Sequence, residues 1–440
     1  MKKIARKIAK KSALMVIALA ALSAVDASAE SQWWKGNTHT HTWWSDGDSP
    51  PEVVADWYKE HGYQFLVLSD HNIMQQGEKW YSITNSKRNA EQVQAAYQTY
   101  HKLFPTGWIE EREVNGDKQV KLKTLDEFRS LYEQPNRFIF VKGEEISDRF
   151  RAHPIHMNGV NTVKKIEPQA GNSVADAIQN NIDAVRRQSE QFGQPMFVHL
   201  NHPNFYYAQT AEDFFYLDYA PGEGYFEMYN GHPHVNNYGD ALHDSAERIW
   251  DIVLAKRLGE LHRSVLYGVA VDDAHEYTRW GVGETNPGRG WIMVRSEWLT
   301  PNKIVEAIKR GDYYNSTGVT LKKLAISDNR IDLEIDAERG VDYRVEFVGT
   351  RRGVDLEPEM SVVPHDHMGV TDHEHKAIKR YSAEIGQLLK VVEGRKASYV
   401  ATGDEIYVRA RIISSKAKHN PFAEGDVEMA WTQPLVVAAP

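Results

Sequence analysis

Residues 49–72, SPPEVVADWYKEHGYQFLVLSDHN, predict a helix that turns directly into a buried strand. Ser49 stands where an N-cap hydroxyl is expected, Pro50 and Pro51 suit a first helical turn, and Gly62 suits a left-handed stop. QFLVLS (64–69) is a short apolar run without polar alternation, the pattern of a strand covered on both faces in a parallel sheet. The unit recurs. SVADAIQNNIDAVRRQSEQFG (173–193) precedes QPMFVHLNHP (194–203), and ALHDSAERIWDIVLAKRLG (241–259) precedes RSVLYGVAVDDAH (263–275). Helix alternating with buried strand predicts an α/β sheet or barrel.

The unusual polar residues are placed directly after these apolar runs. Asp70, His71 and Asn72 follow FLVLS, Glu144 and Glu145 follow FIFVKG, His202 and Asn204 follow MFVHLN, and Asp272, Asp273 and His275 follow LYGVAV. In open α/β sheets and in α/β barrels, ligands bind at the carboxyl ends of the strands, so groups remote in sequence are expected to converge there. GNTHTHTWWSDG (36–47) fits the same pattern. His39 and His41, two apart on an extended chain, point to one face, and Asp46 in the following turn can reach back. A buried set of His, Asp and Glu is costly without a compensating cation, and a sulfur-free set suits Zn²⁺, Mn²⁺ or Fe²⁺.

Composition narrows the partners. The 440-residue chain has no cysteine, which excludes disulfides, thiolate metal sites and a cysteine nucleophile. Residues 1–29 combine a Lys/Arg-rich start, an apolar run from about Ala13 to Val25 and the small residues Ala27, Ser28 and Ala29. That is the pattern of a signal peptide cleaved after Ala29, and it predicts a periplasmic or secreted protein with no stable membrane insertion. These residues hold six Lys/Arg and one Asp, so the net charge of −9 becomes −14 in the remainder. Nucleic acid is not an expected partner of so acidic a chain without a basic cluster. Residues 73–137 form an expected insertion, mostly helical and polar, with a hairpin-like EEREVNGDKQVKLKT (110–124). Beyond Gly318 the chain alternates apolar and polar residues at period two, as in LKKLAISDNRIDLEID (321–336), which predicts an antiparallel β domain over 319–440.

The chain resembles the PHP (polymerase and histidinol phosphatase) superfamily of metal-dependent phosphoesterases, in its secreted form with a C-terminal β domain. Six motifs carry the resemblance, in family order: THTHTWWSDG (38–47), LSDHN (68–72), KGEEIS (142–147), HMNG (156–159), HPN (202–204) and DDAH (272–275). They imply a hydrolase domain over 30–318, folded as a distorted (β/α)7 barrel and followed by a smaller β-sandwich-like domain. They also imply two or three divalent ions (Zn, Mn or Fe). The resemblance puts His39, His41, Glu145 and Asp273 on a first metal. Glu145 bridges to a second, shared with His156 and His202, and Asp46, His71 and His275 hold a third. The catalytic residues implied are Glu145, Asp273 and His275, acting on phosphoester bonds of a small or oligomeric anionic substrate through metal-activated water. Position 46 is often His in the family and is Asp here. The same site on a different bond, a carbamate, ester or amide, is the alternative.

Arg149, Arg151 and Arg279 are candidate phosphate clamps, each competing with a solvated or salt-bridged role. His232 and His234 in YNGHPH (229–234) are candidates to face the substrate. VVPHDHMGVTDHEHK (362–376) repeats His-x-His with His365, His367, His373 and His375. It has no flanking buried strand and no carboxylate set, and is expected to be a polar loop. The tryptophan pairs 33–34 and 43–44 are expected to pack at the barrel end.

Overall fold

A computed structural model describes residues 31–365 and 374–438. The expected signal peptide, His367 and His373 lie outside the described residues. The α/β part runs β1 (Gln32–Asn37), α1 (Pro51–Glu60) and β2 (Phe65–Leu66). An inserted segment follows, with β3 (Trp80–Ser82), α2 (Ala90–Leu103), β4 (Glu111–Val114), β5 (Asp117–Lys121) and α3 (Leu125–Tyr132). The chain continues through β6 (Ile139–Phe140), β7 (Gly143–Phe150), β8 (His153–Val160), α4 (Val174–Phe192) and β9 (Phe197–Leu200). Next come α5 (Glu212–Phe215), β10 (Tyr225–Asn230) and α6 (Ala246–Leu254), which runs on into a π-helical turn, Ala255–Glu260. β11 (Tyr267–Val271), β12 (Trp291–Ser296), α7 (Pro301–Lys309) and β13 (Tyr313–Ser316) complete this part.

Among the described residues the remainder is strand only: β14 (Leu321–Ser327), β15 (Arg330–Ile335), β16 (Tyr343–Arg351), β17 (Glu359–His365) and β18 (Glu374–Arg380). β19 (Gln387–Glu393), β20 (Lys396–Val400), β21 (Glu405–Ala417), β22 (Val427–Thr432) and β23 (Leu435–Val436) follow. Every strand pair in it is antiparallel, as the period-two alternation predicts. His365 and His375 fall on the β17–β18 hairpin, where the backbone register pairs Pro364 with His375 and His365 with Glu374.

The architecture is mixed α/β with several sheets. β1 is parallel to β2, and β2 to β6. On its other side β1 pairs antiparallel with β12, from Gln32↔Ser296 to Gly36↔Ile292. A second sheet runs β11-β10-β9-β8-β7, parallel from β9 to β11 and antiparallel from β7 to β9. Two single-residue parallel bridges, Thr40↔Ala274 and His71↔Glu145, join the sheets just beyond the carboxyl ends of β1, β2 and β11. The first sheet also passes from β12 through β13 to β22, β21, β16 and β19, so strands of both parts share one hydrogen-bonded sheet of ten. No helix among the described residues is long and apolar enough to cross a membrane.

Three local expectations are corrected. Ser49 does not cap α1: Pro50 is the N-cap residue, and the Ser49 hydroxyl donates to Asp48 Oδ1 at 2.8 Å. Asp48 is itself fixed by the Tyr277 and Thr278 amides and the Thr278 hydroxyl, and its carboxylate draws the serine away from the helix. Glu144 and Glu145 follow β6 as expected, but they lie inside the next strand rather than in a loop at its end. The apolar run ends with β6, and the chain re-enters a sheet at Gly143, where Glu145 stands opposite Asn158. The inserted segment is less helical than expected, since β3, β5 and β4 form a sheet of their own. Its tip is an Asn-Gly turn with both residues at positive φ (Asn115 52°, Gly116 78°), as a two-residue hairpin requires. Trp34, Trp43 and Trp44 are buried in the core, and Trp33 is half-buried against the core of the strand-only part.

Candidate metal centre

Glu145 is the hub. Its side chain is fully buried, and its two oxygens lie within 3.6 Å of five imidazoles: His71 Nδ1 (2.6 Å), His156 Nδ1 (3.1 Å), His39 Nε2 (3.5 Å), His41 Nε2 (3.5 Å) and His202 Nε2 (3.6 Å). β7 brings the carboxylate, β8 brings His156, and the end of β9 brings His202. His39 and His41 come from the extended chain after β1, with their Nε2 atoms 3.1 Å apart. Asp273 Oδ1 completes that end, 3.1 Å from His39 Nε2 and 3.3 Å from His41 Nε2. Asp273 sits in the left-handed region at φ 50°, a conformation that an aspartate adopts at a cost and that surrounding structure must hold.

A second focus lies toward solvent. Asp46, half exposed, places Oδ1 at 3.4 Å from His275 Nε2 and 3.5 Å from His41 Nδ1, with Oδ2 at 3.6 Å from His71 Nε2. Three groups thus have ligand atoms close enough to share an ion: His41, Asp46, His71 and His275; His39, His41 and Glu145; His71, Glu145 and His156. The structure brings all nine expected ligands together. Its grouping differs from the one the resemblance implies, because His41 and His71 each belong to two groups and His202 and Asp273 to none.

The electrostatics are those of a set of donors waiting for positive charge. Burial opposes ionisation of Glu145, but the charges of His71, His156 and His39 outweigh it and hold the carboxyl well below its usual range. Asp273 is depressed in the same way by His39 and His41. His41 is pushed down to about 3, first by burial and then by the charges of His275 and His71. His39, although buried, is held well above its usual value by Asp273, Glu227 and Glu145. Neighbouring imidazoles are thereby driven in opposite directions. Glu145 Oε2, although buried, accepts no hydrogen bond, because its 2.6 Å approach to His71 Nδ1 lacks hydrogen-bond geometry. A divalent ion held by these residues would offset the charge at this orphaned oxygen, and the His/carboxylate donor set suits Zn²⁺, Mn²⁺ or Fe²⁺. The residues fit such an ion.

Several supporting residues escaped the sequence reading. Glu227, in the middle of β10, accepts from His39 Nδ1 at 2.7 Å and so turns His39 Nε2 toward the centre. It also accepts from the His202 amide at 2.8 Å. Asn201 donates to Glu145 Oε1 at 2.8 Å, and Asn230 to Asp273 Oδ2 at 3.0 Å. Asp70 accepts from the Thr42 amide, the Thr42 and Ser45 hydroxyls and the Gln75 amide, which fixes the loop carrying Asp46. A signal for Glu227 did exist: an acid inside the apolar YFEMYN is hard to bury without a partner.

Of the substrate candidates, His232 reaches the rim, its ring centroid 5.5 Å from that of His275 and 5.8 Å from that of Phe205. His234 is exposed beside it, its amide donating to His232 Nδ1 at 3.1 Å. Arg151 is exposed in the β7–β8 turn, 5.1 Å from the Phe150 ring. Arg279 is already occupied by Glu284 at 2.7 Å and Glu276 at 3.5 Å.

No protein-family model matches the chain, and no curated protein matches it. Among solved structures it is similar to a two-domain protein from Bacteroides vulgatus containing a PHP-like metal-dependent phosphoesterase. Identity is 13% over 92% of this chain and 95% of that one, with a TM-score of 0.35. It is also similar to a metal-dependent phosphoesterase from Bifidobacterium adolescentis, at 12% identity over 57% of this chain and 91% of that one, with a TM-score of 0.31.

Proposed function

We propose that this chain is an exported metal-dependent hydrolase of phosphoester bonds, built on a distorted (β/α)7 barrel over residues 30–318 with a β-rich domain over 319–440. The observation that carries the reading is the buried Glu145 carboxylate, ringed by five imidazoles with Oε2 unsatisfied. His39, His41, Glu145 and Asp273 would hold one ion, Glu145, His156 and His202 a second, and Asp46, His71 and His275 a third. Divalent ions there supply Lewis acidity and bring the pKa of a water to near 7.

The chain's own residues position and neutralise. Glu227 fixes the tautomer of His39, leaving Nε2 free as a donor of its lone pair. Asn201 and Asn230 hold the Glu145 and Asp273 carboxylates in place. His232 Nδ1 accepts from the His234 amide, so the neutral ring carries its N–H at Nε2. Asp46 and His275 form the solvent-facing side, where an anionic substrate would enter.

Elemental analysis of the protein over residues 30–440, with a side-by-side screen of aryl phosphates, phosphodiesters, esters and carbamates, tests this. The expected result is bound Zn, Mn or Fe and phosphoester hydrolysis that Glu145→Gln abolishes. Activity surviving in Glu145→Gln, or protein that takes up no metal, overturns the proposal. Hydrolysis of carbonyl substrates alone would move the reaction to carbamates, esters or amides on the same site.

A further inference from the structure

A cavity of about 620 Å³, within the range that holds small organic ligands, opens where β1, α1, the 280–291 segment and the 418–428 segment meet. It shares no lining residue with the three metal-ligand groups. Trp57 and Trp280 stack at its wall, centroids 5.7 Å apart and planes 28° from parallel, and Trp280 is 49% exposed. Lys35 places Nζ 3.9 Å from the Tyr63 ring and 4.0 Å from the Trp291 ring. Lys418 lies 4.6 Å from the Tyr229 ring and donates to its hydroxyl at 2.9 Å.

Both cations are withdrawn from water, and burial pushes each down to about 8. Cation–π contact offsets only part of that cost. Among the described residues neither ammonium has a carboxylate partner, and each makes one hydrogen bond, Lys35 to the His61 carbonyl at 3.4 Å. Two of the other polar groups in the lining are already paired, while His419 is exposed. Glu428 pairs with Lys416 at 3.2 Å, and Asn420 donates to the Pro287 carbonyl at 3.0 Å. His61 stacks on Trp57 at 3.9 Å and 12°, so what remains is aromatic surface centred on the exposed Trp280, and ammonium N–H groups. A sugar, whose hydroxyls need acceptors as well as donors, finds few here.

We propose that this cavity binds a small aromatic anion, its ring against the indoles of Trp57 and Trp280 and its carboxylate, sulfonate or phosphate on Lys35 and Lys418. Titration calorimetry on the full chain tests it with benzenesulfonate, benzyl alcohol, benzyltrimethylammonium and glucuronate. Benzenesulfonate is expected to bind at least about tenfold more tightly than the other three. Trp280→Ala, at an exposed side chain, and Lys418→Met should each weaken it by about tenfold or more. Glu145→Gln should leave it unchanged, which separates this site from the metal centre and from the hydrolase reading. Equal binding of all four probes, preference for glucuronate, binding unmoved in both variants, or binding lost in Glu145→Gln overturns the proposal.

Discussion

Glu145 and Glu227 are both buried acids on strands, and they differ in what faces them. Glu145 meets five nitrogens and keeps one oxygen unsatisfied, whereas Glu227 spends its oxygens on His39, His202 and Asn230. Glu145→Gln should therefore lose bound metal outright. Glu227→Gln should retain the fold and lower metal affinity by about 10- to 100-fold, as read by chelator competition. A ligand-equivalent loss at Glu227 would mean that it touches the metal.

Lys35 and Lys418 make a second prediction at this scale. Both have folded-state values depressed from 10.5 to about 8, so the folded chain releases these protons first and the unfolded chain binds more of them above pH 8. Their contribution to stability rises with pH from about 8 toward 10.5. In Lys418→Met that rise should shrink, and urea unfolding at pH 7.5 and 9.5 measures the difference.

Among the elements, the π-helical turn after α6 holds Arg257, fully buried, whose guanidinium donates to the carbonyls of Phe214, Phe215, Leu217 and Ser264 at 2.8–3.0 Å. Arg257→Met leaves these carbonyls without a donor. At roughly 1–3 kcal/mol for each buried acceptor that water cannot reach, a loss of at least about 3 kcal/mol is expected in urea unfolding. Nothing in KRLG announced this role, because three of the four carbonyls that Arg257 serves lie some forty residues earlier. The histidines were legible for the opposite reason. Each follows or sits on a short apolar run, and the carboxyl ends of such runs gather by topology alone. Glu145 within β7, the Asp48 claim on Ser49 and the β13–β22 pairing were not legible, since each depends on a partner that local periodicity does not name.

For the molecule as a whole, the two parts are tied by more than a linker. β13 pairs with β22, and a buried ion network crosses from α6 to β21. Arg409 grips Asp251 with two bonds of 2.9 and 2.7 Å, the Tyr407 hydroxyl adds a third, and Glu247 approaches Arg409 at 3.0 Å. Removing one partner strands a buried charge, so Asp251→Ala should cost about 3–5 kcal/mol in urea unfolding. Residues 30–318 expressed alone should fail to give a cooperative calorimetric transition, because β13 then offers a bare edge and Asp251 faces solvent.

The place of β1 between β2 and β12 also sets a timetable. The strand that leads into His39 and His41 is the first one described, yet its neighbour on one side begins at residue 291. The nascent chain exposes that edge through more than half of synthesis, and pairings of such sequence separation form slowly. Neither histidine meets Asp273 until β11 has emerged and folded. The His39–His41–Asp273 end of the centre is therefore assembled late, whereas His71, Glu145 and His156 come from segments that precede β9.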